Sequence, residues 1–371
     1  MQTSNRTDNK KIPWWVPNVT DEGQRLVQEV LNKGYLNEGE YTECFEKKVA
    51  ALLNCKHAIA VTSGTAAMFL SLKALGVGKG DEVLVPDMTF IATANAVDLC
   101  GATPILIDIN PETMTMDLNS ASSAITKKTK AVIPVHVTGR AADMAGVLDL
   151  AKKHRLFVVE DAAEAFMSKH NGKYLGTYGN TGCFSLSPFK IIGTGQGGII
   201  VTDDDSLHAR LITLKDQGRP VRGTGGDDMH DSIGYNFKFT NLQAAVGLGQ
   251  LTELEFRMNR IKKTYCLYSK HLKPQTVSLF KFNIEGGELP LWIDGWTDKR
   301  NALDSYLRSR NMDCRRFWHP LHTQKPYRQP DDQFIHSTRM SPKSIWLPSA
   351  FTLTDEDVLA VCSQVNSFFS S

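Results

Sequence analysis

Short apolar runs alternate with helical stretches along much of the chain. The predicted strands are 58–61, 82–85, 104–109, 131–135, 157–160, 182–186 and 198–201, and the predicted helices between them are 66–75, 94–99 and 144–154. This repeated order of strand, helix and strand is typical of a parallel sheet covered by helices. The runs 83–85 and 105–107 are apolar at every position, as expected for strands buried on both faces. The pattern therefore predicts an α/β fold.

The regions on either side of this alternation have a different pattern. Helical spacing predicts further helices at 21–31, 38–53 and 207–216 and a long helical stretch at 241–272. The polar, glycine-rich stretch 218–231 is interpreted as a mobile lid or a subunit-contact arm. We expect a disordered tail at 1–12, a large domain at 13–250 and a small C-terminal domain at 251–371.

Composition and charge exclude some classes of function. The 371 residues are 42% hydrophobic and 22% charged, which is typical of a globular protein. A formal net charge of +2 gives no reason to expect nucleic acid or an anionic membrane as a partner. The seven cysteines include no CxxC pair and no Cys/His cluster, so neither a disulfide framework nor a metal site is expected. Without a signal peptide or a membrane span in the sequence, we expect a cytoplasmic protein.

The strongest chemical signal is a lysine in apolar surroundings. Lys190 follows F-S-L-S-P-F and precedes the glycine-rich stretch G-T-G-Q-G-G at 193–198. Because it comes just after Pro188, we expect it on a turn beyond a strand. Most lysines are solvated surface residues, but Phe184 and Ile191 are unusual neighbours for such a residue. An amine in this position is suited to form a Schiff base with an aldehyde and then to move a proton.

Two further features follow predicted strands. The turn Ser63-Gly64-Thr65 opens a helix, where backbone N–H groups and the helix dipole favour a phosphate, although an ordinary N-cap turn has the same sequence. Asp161 ends a central strand, at the edge where ligands of α/β sheets collect. A carboxylate there is suited to keep a pyridine nitrogen protonated. The simpler alternative is a loop aspartate that caps the next helix.

Phe90 and Asn236 complete the set of candidate cofactor residues. Phe90 lies just past another strand, in V-P-D-M-T-F, where it either stacks on a pyridine ring or packs in the core. Asn236, in G-Y-N-F, is either a phosphate donor or a turn residue beside glycine. No feature decides by itself. Their order along the chain, from phosphate turn to aromatic residue, acid, lysine and glycine run, predicts a site for pyridoxal 5'-phosphate.

Several longer motifs resemble those of the DegT/DnrJ/EryC1/StrS family of pyridoxal-phosphate-dependent aminotransferases, which act on nucleotide-linked keto-sugars. The motifs are T-S-G-T-A-A, V-P-D-M-T-F-I-A-T-A-N-A, V-E-D-A-A-E-A, F-S-x-x-P-x-K, G-x-G-G-I-I-V-T-D-D and G-Y-N-F-K-F-T-N-L-Q-A-A. The resemblance extends over residues 15–369. The third and last motifs are most similar to the branch that includes perosamine-type 4-aminotransferases.

This resemblance implies fold type I, in which helices sandwich a mixed, mostly parallel seven-stranded sheet and a smaller α+β domain follows. It implies that Lys190 forms the Schiff base with the cofactor, that Asp161 pairs with the pyridine nitrogen and that Glu164 lies near the 3-hydroxyl side. It also implies a homodimer in which Asn236 reaches the phosphate of the neighbouring subunit. The other implied cofactor contacts are Gly64, Thr65 and Ser185 at the phosphate and Phe90 on the ring.

The resemblance further implies transamination, because family members that dehydrate their substrate have histidine at the lysine position. L-Glutamate is the expected donor, and a nucleotide-linked 4-keto-6-deoxy sugar, used for surface polysaccharides such as O-antigen, is the expected acceptor. The alternatives are a 3-keto sugar, a keto-cyclitol, or a cofactor-binding regulator without catalysis. A DNA-binding domain or a basic tail, which such a regulator would need, is not seen in the sequence.

Candidate substrate contacts are Lys215, Arg219, Arg315, His319 and His322. The run R-R-F-W-H-P-L-H at 315–322 combines positive charge with an aromatic side chain, as suits a diphosphate and a base, and a domain-interface loop is the alternative. Four positions depart from the pattern usual in the family: Gln217 and Thr138, where His and Tyr are frequent, and Arg140 and Gln196. The nucleotide, the sugar and the choice between C3 and C4 amination therefore stay open.

Overall fold

The computed structural model describes residues 10–220 and 229–370. The predicted tail at 1–12 and the predicted loop at 218–231 therefore lie partly outside the described residues. Ile12, at the end of the predicted tail, is buried. Its apolar side chain packs into the core of the C-terminal region, so the expected lack of structure does not extend to this residue.

A mixed sheet of seven strands forms the centre of the fold. The strands of the described residues are β1 His57–Val61, β2 Glu82–Pro86, β3 Thr103–Ile107, β4 Thr129–Val132, β5 Phe157–Asp161, β6 Lys169–His170, β7 Lys173–Tyr174, β8 Thr181–Ser185, β9 Gly198–Thr202, β10 Ser278–Leu279, β11 Asp294–Trp296, β12 Arg315–Arg316 and β13 Ser344–Trp346. The large sheet has the order β1-β9-β8-β5-β4-β2-β3. The pairs β1–β9 and β9–β8 are antiparallel and the others parallel, which confirms the predicted sheet.

Helices cover both faces of this sheet. The helices of the described residues are α1 Asp21–Lys33, α2 Glu40–Leu53, α3 Gly64–Ala74, α4 Ala92–Leu99, α5 Leu118–Ala124, α6 Met144–His154, α7 Asp205–Lys215, α8 Asn241–Leu251, α9 Leu254–His271, α10 Arg300–Arg308, α11 Ile335–Met340 and α12 Asp355–Ser370. Along β2, Val83 and Val85 belong to one apolar cluster and Leu84 to another. Since neighbouring side chains of a strand point to opposite faces, the strand needs apolar residues throughout.

The helical stretch predicted at 241–272 is present, but it is divided into two helices, α8 and α9. The backbone N–H of Thr252 bonds Gly249 O at 3.2 Å, and its hydroxyl donates to the same carbonyl at 2.7 Å. The N–H of Glu253 bonds the carbonyl three residues back as well. These tighter bonds end α8, and α9 begins at Leu254, although the residues at 251–254 include no glycine or proline.

The smaller sheet, of order β10-β11-β13-β12, is antiparallel and lies beyond residue 251 in the sequence. A division of the chain into two domains at that residue stays a prediction. The segment between β12 and β13 returns to the large sheet, where Leu321 and Phe334 join the apolar cluster that also contains Val85. No helix of the described residues has the length and apolar character needed to cross a membrane.

Candidate active site

The carboxyl ends of β5 and β8 and the start of α3 meet at one edge of the large sheet. β5 ends at Asp161, β8 ends at Ser185, and Gly64 is the first residue of α3. Together with the turn that carries Lys190, they enclose a cavity of ≈ 330 Å³. The predicted cofactor residues that line it are Gly64, Thr65, Phe90, Asp161, Glu164, Ser185 and Lys190. The fold therefore brings these side chains together at the edge where parallel sheets bind ligands.

Lys190 is largely enclosed by this cavity. Its backbone N–H bonds Ser187 O at 3.1 Å, so the residue lies on a turn after β8, as predicted. The side chain is 12% exposed, and its Nζ atom lies 3.2 Å from Glu164 Oε1. The same Nζ lies 4.6 Å from the ring centroid of Trp292, whose indole N–H bonds Phe189 O at 3.1 Å. A carboxylate and an aromatic face thus hold the amine in a defined position.

Asp161 is buried at the bottom of the cavity. Its Oδ2 accepts a hydrogen bond of 2.7 Å from the Thr93 hydroxyl, and its Oδ1 accepts one of 3.1 Å from Ala163 N–H. Burial raises the pKa of this carboxyl, whereas the bonds from Thr93 and Ala163 and the charge of Lys190 lower it. A cationic ring nitrogen beside the carboxylate would favour its ionised form, so a protonated pyridine fits this position.

The start of α3 forms the opposite wall of the cavity. The Ser63 hydroxyl accepts the Ala66 N–H at 3.0 Å and caps the helix. A Cβ atom on Gly64 would lie 3.1 Å from Ser185 Cβ, so glycine allows β8 to approach the helix start closely. A helix N-terminus with Thr65 and Ser185 hydroxyls nearby fits an anion of phosphate type.

Glu164 is buried beside Lys190. Its Oε2 accepts a hydrogen bond of 2.8 Å from the backbone N–H of Thr138, and its Oε1 faces the lysine amine. Burial raises the pKa of this carboxyl, while Lys190 and the Thr138 N–H lower it. Glu164 therefore links the lysine to the loop at 137–140.

A second and larger cavity of ≈ 750 Å³ adjoins the first. The side chains common to both linings are Thr89, Phe90, Arg315 and Trp318. The larger cavity, which will be called the outer cleft, also has Arg308, Arg316 and His319 along its wall. Asp304 lies on the same wall and pairs with Arg308 at 2.7 Å and with Arg316 at 3.4 Å, which leaves a net positive charge together with Arg315. Arg315 lies 5.0 Å from the Trp14 ring and 5.5 Å from the Trp346 ring, so aromatic side chains position its guanidinium. The outer cleft is thus suited to a large anionic molecule.

The structure does not bring two of the predicted substrate residues to either cavity. Lys215 is fully buried, and its Nζ lies 2.6 Å from Glu38 Oε1 and 3.2 Å from Ala60 O. His322 is fully buried as well, with Nδ1 2.7 Å from Asp87 Oδ2. Both side chains hold segments of the fold together. The structure therefore does not support the prediction that Lys215 and His322 contact substrate.

Arg219 and Asn236 lie elsewhere as well. Arg219 follows α7, with its backbone N–H bonded to Asp216 O at 3.1 Å, and it lines neither cavity. Asn236 is exposed and its backbone pairs with that of Asp216. Asn236 is outside the cavity of its own chain, so it could contact only a cofactor that is bound by a second subunit. That role stays a prediction.

Several residues of the site were missed in the sequence. They are Thr93, His136, Trp292 and Arg308, whereas Arg316 and Trp318 belong to the run at 315–322 noted in the sequence. Thr93 lies one helical turn after Phe90 in a motif already noted, so helical periodicity could have found it. His136 lines the cavity and pairs with the buried Glu160 at 3.0 Å, a contact between β5 and the loop after β4 that no local pattern indicates.

Comparison with known proteins agrees with this geometry. Residues 17–366 match the DegT/DnrJ/EryC1/StrS aminotransferase family. The chain belongs to this family. It is a pyridoxal-phosphate-dependent aminotransferase, which confirms the predicted enzyme class and cofactor.

Two relatives and one solved structure align with almost the entire chain. GDP-perosamine synthase of Escherichia coli O157:H7 is 36% identical over 368 residues, which span 97% of this chain and 99% of that protein. GDP-perosamine synthase of Vibrio cholerae is 31% identical over the same shares of the two chains. The crystal structure of S. venezuelae DesV superposes with a TM-score of 0.91 at 29% identity, covering 98% of this chain and 100% of that one. This aminotransferase therefore has the fold of solved family structures.

Proposed function

We propose that this aminotransferase transfers an amino group from L-glutamate to C4 of a GDP-linked 4-keto-6-deoxy sugar, giving a 4-amino-4,6-dideoxy sugar. The observation that carries the proposal is that Lys190 lies in a cavity that continues into an outer cleft lined by Arg308, Arg315 and Arg316. The names of the two GDP-perosamine synthase relatives support GDP as the nucleotide and C4 as the position.

The cofactor residues divide the work of binding. Gly64 and Thr65 at the start of α3, with Ser185, would hold the phosphate, and Asp161 would pair with the pyridine nitrogen. Phe90 would lie against the ring. When bound, pyridoxal phosphate supplies an electron sink for the bond that breaks at the substrate carbon.

Lys190 acts as the base. Its Nζ takes the proton from the α-carbon of the amino donor and returns a proton to C4 of the sugar, so one amine serves both halves of the reaction. Glu164, 3.2 Å away, orients that amine. The enclosure of Lys190 restricts water access to the amine, which favours transfer between the bound partners over exchange with solvent.

The outer cleft binds the nucleotide part of the sugar substrate. Arg315 and Arg316 offer planar groups that match diphosphate oxygens, and His319 is exposed on the same wall. Trp318 provides an aromatic surface for the base. Phe90 lines both cavities, which supports a substrate whose sugar carbonyl lies near Lys190 while its diphosphate stays in the outer cleft.

The enzyme works as a cytoplasmic homodimer in this proposal. Asn236 is exposed and lies outside the cavity of its own chain, which supports a contribution to the phosphate site of the partner subunit. A substrate contact of Arg219 is proposed for the partner subunit's site as well, since its backbone N–H bonds Asp216 O and Asp216 pairs with Asn236. Mutation of Asn236 to Ala in one subunit of a mixed dimer would then impair the site of the other.

A substrate panel tests the proposal. Purified enzyme, pyridoxal phosphate and L-glutamate are incubated with GDP-, dTDP- and UDP-linked 4-keto-6-deoxy sugars, and the products are identified by mass spectrometry. We expect the amino sugar from the GDP-linked substrate and little from the others. Turnover of a dTDP- or UDP-linked sugar in preference would contradict the nucleotide assignment, and turnover of a keto-cyclitol alone would contradict the sugar class.

A further inference from the structure

Thr138 has an unusual backbone conformation. Its φ of 54° and ψ of 18° lie in the left-handed region, and the residue is fully buried. A β-branched side chain is disfavoured there, so the surrounding structure has to hold it in place. Such strained residues concentrate at functional sites. Thr138 and Arg140 are also two of the positions where this chain departs from the usual family pattern.

Several contacts that hold Thr138 come from the C-terminal region. The Thr138 hydroxyl lies 3.0 Å from Asp294 Oδ2 and 2.8 Å from the neighbouring Val137 O, so these two acceptors share its proton. The Thr138 carbonyl accepts the Leu291 N–H at 2.9 Å. A Cβ atom on Gly139 would lie 1.9 Å from Leu289 O, so the next residue has to be glycine for the two segments to approach this closely. The segment 289–294 therefore fixes the loop at 137–140.

Arg140 completes this arrangement. Its guanidinium nitrogens lie 2.9 Å and 3.2 Å from the two carboxylate oxygens of Asp294, and both side chains are buried. The rings of Phe280 and Phe282 lie 5.1 Å and 4.7 Å from the guanidinium carbon. A bidentate pair of this type has a well-defined geometry, so it fixes the direction of the Asp294 carboxylate that faces Thr138.

The left-handed conformation lets Thr138 face two groups at once. Its hydroxyl faces Asp294 and its N–H bonds Glu164 Oε2 at 2.8 Å. The other oxygen of Glu164 lies 3.2 Å from Lys190 Nζ. A continuous series of polar contacts thus runs from Asp294, the first residue of β11, through Thr138 and Glu164 to the lysine.

We propose that Thr138, Arg140 and Asp294 are positioning residues that hold Glu164 against Lys190. This inference rests on the role proposed above for Lys190 as the reacting amine. In this arrangement the smaller sheet, through β11, sets the position of the lysine amine. The outer cleft takes no part, because none of the three residues lines it.

Two substitutions of Thr138 distinguish the effect of its hydroxyl group from the effect of its side-chain shape. Thr138→Val keeps the β-branched shape and removes the hydroxyl, whereas Thr138→Ser keeps the hydroxyl. For Thr138→Val we expect kcat to fall about tenfold or more, with the KM for the keto-sugar within about twofold of wild type, as for the loss of one hydrogen bond to a charged group. Thr138→Ser is expected to stay within about threefold of the wild-type kcat.

A readout independent of turnover is the reaction of the apoprotein with its cofactor. The apoprotein is titrated with pyridoxal phosphate by visible absorbance, and the fraction of Lys190 modified after borohydride reduction is measured by peptide mass spectrometry. Thr138→Val is expected to show weaker binding and less modified Lys190 than wild type at equal cofactor. Thr264→Val is the matched control, since Thr264 is buried and its hydroxyl has no hydrogen-bond partner among the described residues.

Asp294→Asn provides a second test in case Thr138→Val does not fold. It keeps the shape of the side chain and removes the charge, and it is expected to lower kcat and Lys190 modification in the same way. Wild-type kcat and modification in a folded Thr138→Val or Asp294→Asn protein would overturn the positioning role. No modification of Lys190 in the wild-type protein would instead contradict the proposed function itself.

Discussion

The Thr93 hydroxyl donates a hydrogen bond of 2.7 Å to the Asp161 carboxylate, which is the buried acid of the active site. Thr93 belongs to the first turn of α4, and Asp161 is the last residue of β5. Burial raises the pKa of Asp161 and the Thr93 hydroxyl lowers it, so Thr93 favours the ionised form. This form is the one that pairs with a protonated pyridine nitrogen.

Removal of the Thr93 hydroxyl is therefore predicted to weaken cofactor binding. For Thr93→Val we expect the dissociation constant of pyridoxal phosphate to rise about tenfold, which corresponds to one lost hydrogen bond to a charged group. Absorbance titration of the apoprotein measures this constant. Thr264→Val serves as the control for a buried threonine, and binding of the cofactor to Thr93→Val with wild-type affinity would show that the contact has no such role.

The raised pKa of Asp161 predicts a pH-dependent cost to the cofactor-free fold. At pH values between the pKa of this carboxyl in the unfolded state and its higher pKa in the folded state, the folded protein binds more protons than the unfolded protein. The free energy of unfolding therefore decreases as the pH rises through this range. Asp161→Asn removes that cost. Its amide can keep both contacts, since the Thr93 hydroxyl has Phe90 O as another acceptor at 3.1 Å.

We expect the Asp161→Asn apoprotein to be more stable than wild type at neutral pH, by about 1 kcal/mol for each unit of pKa shift removed. The difference should shrink towards acidic pH, where the wild-type carboxyl is protonated in both states. Urea unfolding at several pH values checks this, and a variant less stable than wild type at neutral pH contradicts it. The same variant is expected to lose most of its transaminase activity.

Two histidines three residues apart are predicted to behave differently. His322 is buried and pairs with Asp87 through its ring, and its backbone N–H bonds the other Asp87 oxygen at 2.7 Å. His322→Ala leaves a buried carboxyl without its ring partner, so we expect a loss of about 3 kcal/mol in the free energy of unfolding. His319 is exposed, and His319→Ala should leave the melting temperature unchanged and raise the KM for the sugar substrate. Equal losses of stability in both variants would contradict this distinction.

Arg315 is predicted to act by geometry as well as by charge. Its guanidinium lies over Trp14 and Trp346, and it lines both cavities. Lysine keeps the charge but lacks the planar fork, so Arg315→Lys should raise the KM for the nucleotide sugar about tenfold with little change in kcat. Steady-state kinetics check this. A lower kcat with an unchanged KM would place Arg315 in the chemical step instead.

Local sequence patterns were sufficient for most of the fold. Runs such as 83–85 predict buried strands because every position is apolar, and β2 lies there. The break between α8 and α9 could not be predicted, because the residues at 251–254 include no glycine or proline and the turn depends on hydrogen bonds made by Thr252. Patterns of hydrophobicity predict well that a helix or strand is present. They predict its last residue poorly when the hydrogen bonds of a polar side chain determine where it ends.

For the site, the predicted cofactor residues from Gly64 to Lys190 lie around one cavity, whereas Asn236, in a later motif, does not. Contacts between residues distant in sequence were not predictable. Lys215 and His322 have side chains suited to bind a diphosphate. Their buried partners Glu38 and Asp87 become neighbours only in the folded chain. Thr138 and Asp294 are likewise 156 residues apart, and nothing in either local sequence indicates the other. Residue type therefore suggests what a side chain can bind, and tertiary packing decides what it does bind.

The most direct test is to find the lysine that carries the cofactor. The loaded enzyme is reduced with borohydride and digested, and the peptides are analysed by mass spectrometry. We predict the mass of the reduced cofactor on the peptide that contains Lys190, and its loss in a folded Lys190→Ala variant that no longer transaminates. The cofactor mass on a different lysine, or an active Lys190→Ala enzyme, would contradict the account.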